Sequence, residues 1–346
     1  MEAAAQERGF DQVSVGPVRV LAGPNAARRQ QAVAMIPMLP ELVRATGATF
    51  CTVLVATHNG GIHLPAIKRT AAAIADIAAT TEGGLGNLRF AALANCPAHI
   101  PFFPAAYHEG SQPCYGLALE AADLAVRAFE DAASLDAARR GLLAALHAER
   151  GRLEPIIQRV AAAGTQGIQP QFNGVDLSLA PFPEDSRSVV AALERLGVPH
   201  FGASATLFAV AFLTSILRST SIPRTGFSGL MVPVLEDSRL ARRASEGLVS
   251  VDSLLLYSAL CGLGLDTVPL PGDVPTDELA AIILDVAALA VRLDKPLTAR
   301  LMPVPGARAG DPVDFDFPYF APSRRVLAAR GQGAAAILGK ADVVRL

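Results

Sequence analysis

The sequence predicts an α/β fold, and a barrel is favoured over an open sheet. The 346-residue chain is 51% hydrophobic and 18% charged, a composition typical of a protein with a large core. Apolar runs alternate with helical segments, and they add up to roughly eight to ten strands, which suits a barrel or a wide sheet. Four runs in the second half end in or carry a Pro, Gly or carboxylate: FNGVDLSLAP, GFSGLMVPVLED, CGLGLDTVPLPGD and ARLMPVPG. If these runs are parallel strands, their carboxyl ends share one rim, where we expect a pocket.

The order of the elements follows from hydrophobic pattern and turn residues. In the first half, the predicted strands are VSVGPVRVLAG, ATFCTVLVAT, LRFAALAN and CYGLALE, with helices over 66–80 and from residue 121 onward. The segment near 134–163 is amphipathic and predicts a helical insert, broken or kinked at Pro155. In the second half, the predicted strands are GVDLSLAP, GLMVPVL, LDTVPLPG and LTARLMPVPG, with helices over 186–196, 204–217, 238–246, 251–260 and 276–292. Strands that are apolar almost throughout indicate burial on both faces.

These elements predict one α/β barrel domain over residues 1–330, with a C-terminal tail over 331–346. The Gly- and Pro-rich loop PVPGARAGDPVDFDFPYFAPSRR is predicted to form a small hairpin or lid carrying Asp311, Asp314 and Asp316. Apolar helices favour a homodimer.

Composition excludes several classes of function. A net charge of −2 offers no basic excess for binding phosphates, so no nucleic-acid partner is expected. The longest apolar stretch, over 204–217, is shorter than a bilayer needs, and the polar start MEAAAQERGFDQ lacks the pattern of a secretory signal. We therefore expect a cytoplasmic protein without a membrane partner. Four cysteines without a C-x-x-C pair fit neither a disulfide framework nor a zinc knuckle, and no nucleotide-cofactor motif is present.

Several carboxylates stand where a core strand would be apolar. Alternation in VDLSLAP places Asp176 and Ser178 on one strand face, and a buried carboxylate there is costly unless it is paired or functional. A purely structural Asp is an equally good interpretation. Asp266 begins a similar strand, whereas Asp273 follows Pro-Gly and fits a turn or helix cap. Glu236 and Asp237 close the run GLMVPVL before a basic helix, and helix capping explains at most one of the two.

Three further features suggest binding or proton transfer. Arg300 lies within an apolar strand and needs either an acidic partner or an anionic ligand. Asn59 lies in the loop THNGGIH between a strand and a helix, where backbone N–H groups can bind an anion. His108 follows a strand in a Pro- and aromatic-rich loop and can carry protons or hold a structural hydrogen bond. A divalent metal bound by His58, His63 and His108 together with Asp or Glu is a further hypothesis, without support from ligand spacing.

The signature blocks VDLSLAP, FSGLMVPVLED, ALCGLGLDTVPLPGD and ARLMPVPG, between residues 174 and 306, resemble the family called domain of unknown function 711, or uncharacterised protein family 0210. Fainter similarity in TFCTVLVATHNGGIHLPAI and LANCPAHIPFFPAAYHEG extends the resemblance over residues 45 to 320. The resemblance implies the ten-stranded α/β barrel of the pyruvate formate-lyase type. The glycyl-radical signature is absent, since the tail reads VLAARGQGA. The residues that it carries over are Asp176, Glu236, Asp237, Asp266, Asp273, Arg300 and His108.

The first half departs from the family pattern, because GIHLPAI has Pro65 where relatives carry an acidic residue. An altered substrate is the natural hypothesis. We expect a non-redox lyase, isomerase or hydrolase acting on a small anionic metabolite, with acid, base or metal-binding roles for Asp176, Glu236, Asp266 and His108. Substrate contacts are expected from Arg300, Asn59, Ser178, Asp237 and Asp273. The alternative is a non-catalytic binding or structural protein in which the carboxylates and Arg300 pair internally.

Overall fold

Nine strands form within the residues that the computed structural model describes, which are 1–21, 26–164, 169–313, 315–321, 325–329, 331 and 333–346. Two predictions from the sequence, Asp314 in the loop and the domain boundary at Arg330, concern positions outside these residues. The strands are β1 Val13–Arg19, β2 Thr49–Thr57, β3 Gly61–His63, β4 Phe90–Ala94, β5 Cys114–Ala118, β6 Gln171–Asp176, β7 Gly264–Pro271, β8 Leu297–Val304 and β9 Val343–Val344.

The α-helices alternate with these strands over most of the described chain. In order, they are α1 Glu2–Gln6, α2 Ala26–Met35, α3 Leu39–Ala45, α4 Leu64–Thr80, α5 Ala122–Glu130, α6 Leu135–Ala162, α7 Val189–Arg195, α8 Thr206–Arg218, α9 Ser238–Ser245, α10 Val251–Ser258, α11 Thr276–Arg292 and α12 Ala335–Leu338. The helix predicted over 276–292 is confirmed by α11. Of the two alternatives predicted near Pro155, a break or a kink, the break is wrong, because α6 continues through Pro155. Within the described chain, no helix combines the length and apolar character needed to cross a bilayer.

The main sheet contains seven strands in the order β7-β8-β4-β2-β3-β9, with β1 paired to β2. The pairs β1–β2, β2–β4 and β7–β8 are parallel, whereas β4 and β8 are antiparallel. The carboxyl ends of β7 and β8 therefore lie at the opposite edge from those of β2 and β4. Of the four runs expected to share one rim, β7 and β8 are parallel neighbours with a common edge. The single rim of four parallel strands is wrong, because β6 pairs in another sheet and GLMVPVL is not a strand. β5 and β6 form a second, two-stranded parallel sheet.

The closed ten-stranded barrel is not formed by the described strands, which make two separate sheets. The run GLMVPVL, predicted to be a strand, is irregular and lies between the sheets. Its backbone makes isolated bonds on the side of β7: Gly262 N–H donates to Leu230, and Val234 N–H donates to Asp266. A regular ladder is interrupted because Pro233 has no N–H. The relation to pyruvate formate-lyase barrels stays a prediction.

The hydrophobic core lies mainly between the seven-stranded sheet and its helices, chiefly α4 and α11. Leu297, Ala299 and Leu301 of β8 point into this core. The alternate residues of β8 face the other way, where Met302 packs in a smaller apolar cluster with Phe315 and Phe320. The face of the sheet that points away from α4 and α11 is therefore available to build a site. The tail returns to the sheet through β9, which pairs with β3.

Candidate functional site

A cavity of about 840 Å³ lies on the face of β8 that points away from α4 and α11, where Arg300 lines it. Its wall combines aromatic rings and prolines with a small number of charged groups, the usual make-up of a small-molecule site. The lining residues are Asp11, Gln12, Phe50, Leu88, Pro101, Phe102, Phe103, Ala118, Glu120, Pro181, Phe182, Pro183, Glu236, Arg300, Phe317 and Tyr319.

A buried ion pair between neighbouring strands adjoins the cavity, which Arg300 lines and Asp266 does not. Arg300 of β8 donates from Nε to Asp266 Oδ1 at 2.5 Å and from Nη2 to Asp266 Oδ2 at 2.9 Å. Both side chains are almost fully buried. The β7–β8 register shifts between Leu265 and Val268, and such a bulge redirects a side chain. This shift in register brings the Asp266 carboxylate beside the Arg300 guanidinium. The two hydrogen bonds between them form a charge-assisted pair, which is stronger than a single neutral hydrogen bond.

Glu236 adds a second carboxylate to this pair. Its Oε1 lies 2.9 Å from Arg300 Nη2, and its side chain is 25% exposed, whereas that of Asp266 is 7% exposed. Burial raises the pKa of Glu236 to about 7, the Arg300 charge opposes that rise, and the Asp266 and Glu120 charges add to it. The desolvation cost of a carboxylate here outweighs the attraction of the guanidinium that Asp266 already neutralises. Glu236 is thus a cavity-lining carboxyl group that changes protonation near neutral pH.

Arg300 has little capacity left for an anionic ligand. Besides its three bonds to carboxylates, Nη1 donates to Leu88 O at 3.3 Å, which leaves one N–H unused. Among the described lining residues, Arg300 is the single basic one, whereas Asp11, Glu120 and Glu236 are acidic. The charge of the cavity therefore disfavours anions.

Aromatic rings close the opposite side of the cavity. Tyr319 meets Phe182 edge to face with ring centroids 5.7 Å apart, and Phe317 lies 5.4 Å from Tyr319. The Arg187 guanidinium lies over the Phe182 ring, 4.0 Å from its centroid, and fixes that ring by a cation–π contact. Phe317 and Tyr319 belong to the loop predicted as a hairpin or lid, and Pro312 and Arg325 form an antiparallel bridge there. The ring faces provide a surface for an apolar or flat ligand.

Asp176 and Ser178 are brought together, but neither lines the cavity. Asp176 accepts hydrogen bonds from Ser178 Oγ, from Phe227 N–H at 2.8 Å and from Ser228 N–H at 2.9 Å. Burial raises its pKa, and these bonds oppose that rise. The contacts are those of a carboxylate that ties β6 to the irregular run before Glu236. They support the structural alternative for this residue.

Both carboxylate oxygens of Asp237 likewise accept hydrogen bonds from within the protein. It is the N-cap of α9, where it accepts from Arg239 N–H and Leu240 N–H, both at 3.0 Å. It further accepts from Ser188 Oγ at 2.6 Å and from Val190 N–H at 3.2 Å. The expectation that capping explains only one of the adjacent carboxylates is confirmed: Asp237 caps the helix and Glu236 lines the cavity.

The remaining predicted residues lie elsewhere. Asn59 and Asp273 are exposed in turns and are not among the lining residues. His58 Nδ1 lies 3.1 Å from Val291 O, and buried His63 caps α4 by accepting from Ala66 N–H, so the proposed grouping of His58, His63 and His108 does not form. His108 is exposed and lies beside Cys114, away from the cavity lining.

Sequence reasoning missed the aromatic wall and Glu120. The aromatic lining comes from loops that are far apart in the chain: Phe102 and Phe103 in IPFFP, Phe182, and Phe317 and Tyr319 in FDFPYF. Aromatic residues alternating with proline were the available signal, because a loop with that composition is more apolar than exposed loops generally are.

The model of a family described as Uncharacterised ACR (DUF711) matches residues 1–319, in agreement with the resemblance seen in the sequence. A UPF0210 protein of Pyrobaculum arsenaticum is 36% identical over 81% of this chain and 62% of its own length. UPF0210 proteins of Pyrobaculum islandicum and Methanopyrus kandleri are each 32% identical, over 91% and 90% of this chain and 69% of their own lengths. The chain thus spans 62% to 69% of the length of these relatives.

Proposed function

The chain belongs to the DUF711 family, and from that premise and the cavity geometry we propose that it is an enzyme of acid–base chemistry. The observation that carries the proposal is Glu236, a cavity-lining carboxyl group whose pKa is raised to about 7. A proton-transfer group works best when its pKa lies near the working pH, because both protonation forms are then populated. Perturbed carboxyl groups in clefts are enriched at catalytic sites.

Arg300 and Asp266 are proposed to position Glu236 and to limit its pKa. Arg300 contacts Glu236 Oε1 at 2.9 Å, so it stabilises the carboxylate that forms when Glu236 releases its proton. Asp266 holds the guanidinium through two bonds and removes most of its excess charge. Without that neutralisation the Glu236 carboxylate would be favoured more strongly, and the pKa would fall below the neutral range.

The proposed substrate is a small neutral or positively charged molecule with an apolar or flat body. This proposal replaces the expectation of an anionic metabolite, since Arg300 is already paired and the other charged lining residues, Asp11, Glu120 and Glu236, are acidic. Aromatic faces at the opposite wall suit an apolar group or an amine cation. Glu236 would act as the base that accepts a proton and as the acid that returns it: to another atom of the substrate in an isomerase, to the leaving group in a lyase, or, after taking it from water, to the leaving group in a hydrolase.

A non-catalytic binding or structural role is the second candidate. The observation that favours it is the pairing of Arg300 with Asp266 and Glu236, because internal pairing was its specific expectation. In that reading Glu236 contributes to the charge of a binding cavity and transfers no proton. The two candidates differ in what happens to a bound compound.

The test follows a defined mixture of small carbonyl compounds and amines by NMR in D₂O at pH 7. An enzyme of the proposed kind exchanges or converts at least one compound, and Glu236→Gln abolishes that change while the compound still raises the melting temperature of the variant. Glu120→Gln is the matched control, because Glu120 lines the same cavity but its side chain is 60% exposed. Thermal shifts without exchange or conversion by the wild type would support the binding protein instead.

A further inference from the structure

Three potential metal ligands converge at the start of β5. Cys114 Sγ lies 3.0 Å from His99 Nδ1 and 3.3 Å from His108 Nδ1. Each of the three side chains offers one ligand atom that lies within 4.8 Å of the other two, and within the described chain no other group of three or more His, Cys, Asp or Glu residues does so. From this geometry we propose that His99, His108 and Cys114 bind one Zn²⁺ ion.

The hydrogen bond on the far side of His108 sets the tautomer that a metal needs. His108 Nε2 lies 3.1 Å from Gly110 O. A carbonyl oxygen can only accept, so Nε2 carries the hydrogen and the lone pair of Nδ1 points toward Cys114 Sγ. Metal-binding histidines typically donate their second N–H to a carbonyl or carboxylate in this way, which fixes the ring and raises the basicity of the coordinating nitrogen.

The position of His99 is fixed by its backbone. Its N–H donates to Tyr107 O at 2.8 Å, and its carbonyl accepts from Thr225 Oγ1 at 3.2 Å. The bond to Tyr107 brings residues 99 and 107 together, so His108 arrives beside His99 with ring centroids 5.2 Å apart. Two of the three ligands are therefore held in place by bonds that do not involve the metal.

The chemistry and spacing of the donors select zinc. Zn²⁺ accepts a thiolate at about 2.3 Å and imidazole nitrogens at about 2.0–2.1 Å, which in a tetrahedron separates sulfur from nitrogen by about 3.5 Å. The observed separations are 3.0 and 3.3 Å, so a small opening of the cluster accommodates the ion. Mg²⁺ and Ca²⁺ prefer oxygen ligands and are disfavoured. The Cys114 thiol loses its proton on binding.

The location of the ligands shows what the ion would do. His99 and His108 flank the segment that carries Pro101, Phe102 and Phe103, which line the cavity. Cys114, four residues before the lining residue Ala118 in an extended strand, is about 13 Å from it along the chain. The ion thus lies outside the cavity and fixes one aromatic wall of it. This inference does not depend on the proposed acid–base function.

The three groups can also be joined by two hydrogen bonds around the Cys114 thiol, and a metal titration separates the two arrangements. Protein stripped with a chelator is titrated with Zn²⁺ by calorimetry, and with Co²⁺ as a spectroscopic probe of thiolate coordination. We expect one equivalent of Zn²⁺, an increase in melting temperature, proton release, and a Co²⁺–thiolate charge-transfer band.

The variants assign the ligands. His108→Ala should weaken Zn²⁺ binding by about tenfold or more, and Cys114→Ser should abolish the Co²⁺–thiolate band. Because His108 is exposed, its variant keeps the assay interpretable if Cys114→Ser fails to fold. His147→Ala, at an exposed histidine on α6, is the matched control and should bind as the wild type does. No stoichiometric binding, or binding that His108→Ala leaves unchanged, would overturn the zinc site.

Discussion

Glu236→Gln is expected to change how the stability of this protein depends on pH. Glutamine keeps the shape of the side chain and a polar contact to Arg300, but it cannot ionise. In the wild type, burial raises the pKa of Glu236 from its ordinary value of 4.5 to about 7. Since the folded state holds this proton more tightly than the unfolded state does, folding is favoured where the group is protonated.

The size of the effect follows from that shift. A rise from 4.5 to about 7 corresponds to about 3 kcal/mol of differential free energy. The side chain is 25% exposed, so solvent screening reduces this figure only partly. The stabilising difference is fully present below the unfolded pKa of 4.5 and is lost as the pH rises through about 7. The free energy of unfolding of the wild type, minus that of Glu236→Gln, should therefore fall by about 3 kcal/mol between about pH 4 and pH 8.

The assay is urea denaturation of the wild type and Glu236→Gln at closely spaced pH values across that range. Other titrating groups contribute equally to both proteins and cancel in the difference. Glu7→Gln serves as the control, because Glu7 is exposed and does not line the cavity, and the change in its difference curve should be much smaller than that of Glu236→Gln. A flat curve for Glu236→Gln, or one that rises with pH, would refute the argument, because the attraction of Arg300 would then exceed the desolvation cost.

Three other substitutions test the contacts around the site. Asp237→Ala should lower the free energy of unfolding by about 2–4 kcal/mol, because it removes a helix cap and leaves buried donors unpaired. Arg300→Met should cost about 3–5 kcal/mol by leaving buried Asp266 without its partner, and the double variant with Asp266→Leu should recover part of that loss. Gly226→Ala should cost more than about 2 kcal/mol, since its φ is +63° and a Cβ would overlap the Asp176 carboxylate. All three are measured by urea denaturation.

Two matched controls show whether a similar substitution elsewhere in the chain lowers the free energy of unfolding by as much. Asp273→Ala removes an exposed carboxylate and should change the free energy of unfolding by less than about 0.5 kcal/mol. Gly306→Ala shares the positive φ of Gly226 but meets no atom within 4 Å, so it isolates the backbone cost from the overlap. Equal losses for the two glycines would contradict the overlap argument. A double variant no more stable than Arg300→Met would contradict the argument from the uncompensated charge.

The local elements could be predicted because their cause is local. Hydrophobic periodicity and end signals predicted α11 over 276–292 and the strand character of the runs that became β7 and β8. The same reasoning failed for the irregular run GLMVPVL before Glu236, which was predicted to be a strand. Its residues are apolar like those of a strand, but Pro233 and the positive φ of Ser228 interrupt the ladder.

The roles of the carboxylates in the site also could not be predicted from the local sequence. The pattern identified Asp176 as a buried carboxylate, and it is fully buried. Whether such a group is structural or functional depends on the donors that surround it, and two of those of Asp176 come from residues 51 and 52 positions later. Glu236 and Asp237 are neighbours in sequence, yet one lines a cavity and the other caps a helix.

The sequence by itself determined the α/β class, the family, and the burial of Asp176, Asp266 and Arg300, because apolar pattern and signature blocks are properties of short segments. Tertiary structure decided which charges meet. Asp266 and Arg300 are paired by the β7–β8 register and its bulge, and His99, His108 and Cys114 by a loop that folds back on itself. A pKa or a metal site depends on distances of a few ångströms between groups far apart in the chain, and those distances are set only when the sheets and loops pack together.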